Sequence, residues 1–138
     1  MTRTAKLLCA IACALLLVTA VFHSLDYVQV YNAVEKSITS EFFRNTLPGL
    51  WLHFSVHLVV LFAFGILALR SAYGTRRLLG LLALAITVDT VFVLFFAGFF
   101  SGVALLAVAA ICFTLAAFLS PLSREPQLDE SNIEQDVL

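Results

Sequence analysis

Residues 48–70 read PGLWLHFSVHLVVLFAFGILALR. Behind Pro48-Gly49, the stretch from Leu50 to Leu69 carries no charge, and Arg70 closes it. At a rise of about 1.5 Å per residue, a helix of that length crosses a hydrocarbon layer of roughly 30 Å. His53 and His57 lie in its first half, four residues apart and so on one helix face. A polar pair on a helix of this kind marks a candidate functional site.

The composition fits that reading. The 138 residues are 62% hydrophobic and 12% charged. Soluble domains run nearer 45–50% and about 25%. So short a chain cannot hide that much apolar surface in its own core, so lipid is the expected solvent. No basic patch with interleaved aromatic residues is present, which argues against nucleic acid as a partner. Walker, GxSxG, HExxH and dinucleotide-binding patterns are all absent.

Three further apolar stretches flank the first. The expected spans cover about residues 5–23, 50–70, 78–100 and 102–120, within a membrane domain of residues 1–122. Lys6 can snorkel at one end of the first. A cleaved signal peptide is the rival reading there, because Val18-Thr19-Ala20 resembles a small-residue cleavage site; retention is favoured, since a fourth helix is needed to cover the site. Between the first two spans, Tyr27, Val30, Tyr31, Val34 and Ile38 recur at helical spacing. They predict an amphipathic helix at the membrane interface, with Thr39 or Ser40 capping a second short turn through Phe42-Phe43. Pro48-Gly49 should then break the chain. Gly98 to Gly102 reads as a tight uncharged turn. The acidic tail, residues 123–138, has too few apolar residues to bury and is expected to be disordered, or to dock a partner.

The fold class that follows is an all-α membrane protein: a four-transmembrane-helix up-down bundle with an amphipathic outer loop between helices 1 and 2. Lysine and arginine set its orientation. Arg3, Lys6, Arg70, Arg76, Arg77 and Arg124 fall on one side, Lys36 and Arg44 on the other. Both termini are therefore expected in the cytoplasm, and the membrane is expected to be a bacterial cytoplasmic membrane.

On that topology His23, His53 and His57 occupy the outer half of the bundle. Helix rise puts His57 roughly 10 Å deep and Asp89 roughly 15–17 Å deep. A carboxylate at a helix centre costs on the order of 3 kcal/mol, so Asp89 should face inward and pair, with His57 its nearest candidate. His23, His53, His57 and Asp89 are the candidate ligands for a transition metal ion such as zinc, copper, iron or nickel. Haem, a proton path, or a quinone-like or lipid molecule are the other ligand readings. The structural alternative is that these side chains, with Ser55, Thr87 and Thr90, form interhelical hydrogen bonds. Cys9, Cys13 and Cys112 read as small hydrophobes, Trp51 as an interfacial anchor, and Phe92, Phe95, Phe96, Phe99 and Phe100 as packing residues or the wall of an apolar pocket.

The expected function is a small integral membrane protein whose His/Asp site binds a metal ion or small ligand, as an accessory subunit with membrane-protein partners. An enzyme using the same cluster and a purely structural subunit are the alternatives.

Overall fold

A computed structural model describes residues 1–37, 40–71 and 74–121. The acidic tail, Thr39 and Ile38 lie outside these. Five helices make up the fold: α1 (Arg3–Leu25), α2 (Tyr27–Glu35), α3 (Glu41–Arg70), α4 (Thr75–Ala97) and α5 (Ser101–Phe118), with no strand among the described residues. Four helical stretches are long and apolar enough to cross a membrane: α1 running on into α2, then α3, α4 and α5.

Small residues decide which helices meet. The buried face of α1 is Ala5, Cys9, Ala12, Cys13, Leu16, Thr19 and Ala20. That of α5 includes Ala109, Ala110, Cys112, Phe113, Ala116 and Ala117. Such faces let backbones approach closely. Accordingly α1 packs closely on both α3 and α5, and α5 on α4, while the α3–α4 seam is slender. Burial agrees: 39% of the most apolar window is buried in α1 and in α5, against 28% in α3 and in α4. The centre is tightest at Gly65. A Cβ there would collide with the Cys13 sulfur and sit 3.3 Å from Cζ of Phe113. The Cys9 thiol donates to the Gly65 carbonyl at 3.6 Å.

Helix ends follow local chemistry. The Thr2 hydroxyl accepts from the Ala5 amide at 3.1 Å, capping α1. It donates to the Leu119 carbonyl at 3.4 Å, which ties the start of α1 to the end of α5. Gly98, at φ +77°, ends α4 in a conformation that costs any other residue. So α4 stops at Ala97, three residues before the expected Phe100. It also starts earlier than expected, at Thr75, and takes Arg76 and Arg77 into its first turn.

Pro48 does not break the chain. It lies within α3, whose thirty residues run unbroken from Glu41 to Arg70. A proline removes one i→i−4 bond, yet α3 continues through it with Pro48 buried, and α2 packs on α3. Phe42 and Phe43 belong to this helix and form no separate turn. Ser40 precedes α3 in extended conformation and makes no side-chain cap. The amphipathic helix is present as α2, and it buries no residue.

Candidate functional site

The side chains of His57 and Asp89 meet across the α3–α4 seam, with Nε2 and Oδ2 3.0 Å apart in a hydrogen bond. Asp89 lies eight residues before the end of α4 at Ala97, roughly 12 Å along the helix. The seam is thin enough to leave the pair uncovered: the side chain of His57 is 39% exposed and that of Asp89 22% exposed. Among the described residues no other hydrogen bond engages either side chain.

The other two candidates do not join this pair. His53, one turn along α3, is exposed. His23 is held elsewhere, in an aromatic box. Its ring stacks on Trp51, with centroids 4.0 Å apart and planes at 17°. It meets Phe54 edge-on at 5.1 Å. Trp51 also donates its indole N–H to the His23 backbone carbonyl at 2.8 Å. That carbonyl belongs to the last turn of α1, where intrahelical donors run out. Trp51 is therefore a stacking and capping residue as well as an amphipathic aromatic. Nε2 of His23 is buried and has no hydrogen-bond partner among the described residues.

No group of three or more His, Cys, Asp or Glu side chains that would hold a metal ion gathers among the described residues. His23, His53, His57 and Asp89 thus contribute one two-member contact and two separate imidazoles. The hydroxyls expected to bridge helices turn back on their own. Thr87 donates to the Ala83 carbonyl at 2.7 Å and Thr90 to the Ile86 carbonyl at 2.6 Å, the local bond Thr makes readily inside a helix. Ser55 Oγ is buried without a partner among the described residues.

Two further features lie near the pair, of which Phe54 carries little sequence signal and the phenylalanine wall on α4 is expected from the sequence. Phe54 links the aromatic box to the site, its ring 6.5 Å from that of His57. On α4, an apolar groove of about 350 Å³ runs along Thr87, Val88, Val91, Phe92, Phe95 and Phe96. Phe92 and Phe96 lie with ring centroids 4.5 Å apart and planes tilted by 43°. They follow Asp89 by three and seven residues, which places them on its side of the helix.

Chemically, the His57–Asp89 contact is a carboxylate–imidazole pair that shares a proton between Nε2 and Oδ2. When the pair is neutral overall, the second imidazole nitrogen carries a hydrogen wherever the shared proton sits. Nδ1–H is then a donor and Oδ1 an acceptor. The chain matches no family model, no curated protein and no solved structure.

Proposed function

We propose that this chain is an integral membrane binding protein. Its α1, α3, α4 and α5 cross the bilayer up and down, both ends face the cytoplasm, and His57–Asp89 forms a polar site in the outer half that opens sideways to lipid. One observation carries the reading: the His57–Asp89 hydrogen bond stands partly uncovered in the slender seam between α3 and α4. Hydrocarbon satisfies no hydrogen bond, so polar groups at that depth seek a partner. A small ligand with a polar head and an apolar body would supply one from within the membrane. Two converging donors favour such a ligand over an ion chelated by the chain alone, since transition-metal sites draw on three or four protein ligands.

The test is reaction with dicyclohexylcarbodiimide, a lipid-soluble reagent for protonated carboxyl groups, in membranes containing the full chain. The proposal expects one adduct at Asp89, found by peptide mass analysis and absent from Asp89→Asn. Absence of label at Asp89, with water-soluble carbodiimide also failing, would mean a closed site and overturn the reading.

A second reading, a subunit that docks a partner protein outside the bilayer, rests on α3. Outward from the His57–Asp89 level, α3 continues for roughly 24 Å and α4 for only about 12 Å. Phe42, 70% exposed, and Phe43, 52% exposed, sit on the overhang.

A further inference from the structure

Resting on the reading of an open His57–Asp89 site, we infer that its ligand is a lipid-soluble phenol or quinol: an aromatic ring bearing hydroxyl groups on an apolar tail. Three observations converge on that class. The first is the hydrogen-bonding demand. A neutral His57–Asp89 pair offers one donor, Nδ1–H, and one acceptor, Oδ1, and the described residues satisfy neither. A ring hydroxyl both accepts and donates, so hydroxyls on one ring answer both needs. A protonated fatty acid answers both needs as well, so the choice of a ring rests on the wall beside the pair. A plain hydrocarbon answers neither need.

The second observation is the wall beside the pair. Phe92 and Phe96 meet in a tilted ring contact, with planes at 43°, and follow Asp89 at helical spacing that puts them on its side of α4. Phe95 packs edge-on against Phe96, with centroids 5.1 Å apart. Aromatic faces and edges favour another ring over a saturated chain by offset or edge-on contact. The third is access. Val56 and Val60, one and three residues from His57 on α3, and Phe92, three residues from Asp89 on α4, are apolar and exposed, so an amphiphile sliding in from lipid meets apolar side chains next to the pair in sequence.

His57 and Asp89 are the binding residues in this inference, and Phe92 and Phe96 position the ring. No redox step is implied.

The experiment is equilibrium binding of a decyl-substituted benzoquinol to the full chain in nanodiscs, kept reduced and followed by calorimetry. Saturable binding near one per chain is expected. Asp89→Leu and His57→Leu should each weaken it about ten- to a hundredfold, as expected for losing a hydrogen bond to a charged or strongly polar group. Asp89→Asn keeps the acceptor and should bind within a few-fold of the parent. His23→Ala should leave binding unchanged. Thermal unfolding of each variant separates lost binding from lost fold. Decanol, with a hydroxyl but no ring, should bind at least about tenfold more weakly; equal binding of decanol would overturn the assignment to a ring. Non-saturating uptake of the quinol, identical in Asp89→Leu, would overturn the ligand class altogether. Carbodiimide labelling of Asp89 remains independent of that result: label without quinol binding leaves the open site standing, and loss of both removes the site itself.

Discussion

Gly65→Ala is the perturbation whose cost the structure fixes most closely. The new methyl group would enter the space held by the Cys13 sulfur and lie 3.3 Å and 3.5 Å from Cζ and Cε1 of Phe113. Neither neighbour has room to retreat, for Cys13 is 2% exposed and Phe113 fully buried. Overpacking of this kind costs about 1–3 kcal/mol. Alanine recovers part of that, because glycine in a helix interior is unfavourable by up to about 1 kcal/mol. The overpacking outweighs that recovery, for a net loss of up to about 2 kcal/mol. Reversible unfolding in mixed detergent micelles would measure it. Cys13→Ala removes the colliding atom, so the double variant should be more stable than Gly65→Ala alone. A Gly65→Ala protein as stable as the parent, or a double variant no better than the single, would refute the close approach of α1, α3 and α5 at this level.

Other expectations follow from particular contacts. Trp51→Phe keeps a ring against His23 but loses the N–H that caps its carbonyl, and should cost about 0.5–1.5 kcal/mol in the same unfolding assay. Gly98→Ala forces a side chain into a φ +77°, ψ −172° conformation that is essentially glycine's alone and should destabilise the α4–α5 turn by about 1–3 kcal/mol, without altering the helix content seen by circular dichroism. A cysteine placed at Ser37, on the connection between α2 and α3, should react with an impermeant thiol reagent in intact cells, whereas a reporter fused after Leu138 should be cytoplasmic. Labelling of that cysteine only after permeabilisation would reverse the proposed orientation.

Much of this fold can be read from residue order, because membrane-length apolar runs and their charged stops are local signals. Arg70 ends α3 as its charge predicts, and the four apolar stretches each become a helix. The His57–Asp89 contact is also legible. A lone carboxylate in an apolar helix must pair, and only a few partners share its depth. What is not legible depends on registers between helices. Gly98 takes positive φ and ends α4 three residues early, and the sequence around it allows several ends. His23 leaves the expected cluster because α1 slides against α3 until Cys9 and Cys13 meet Gly65, which carries it to Trp51. Pro48 reads locally as a breaker, yet α3 continues through it with Pro48 buried. Thr87 and Thr90 look like interhelical glue until the helix backbone offers them nearer acceptors.

The central claim is that His57 and Asp89 hold each other in an otherwise apolar seam. A double-mutant cycle of His57→Leu and Asp89→Leu tests it most directly, read by reversible unfolding in micelles. Each single substitution strands one polar side chain against lipid-like surroundings, whereas the double removes both. The account predicts that each single variant is less stable than the parent. It predicts a double variant at least as stable as either single, with a coupling energy of about 0.6–1.7 kcal/mol. Additive effects, with coupling below about 0.5 kcal/mol, would contradict it.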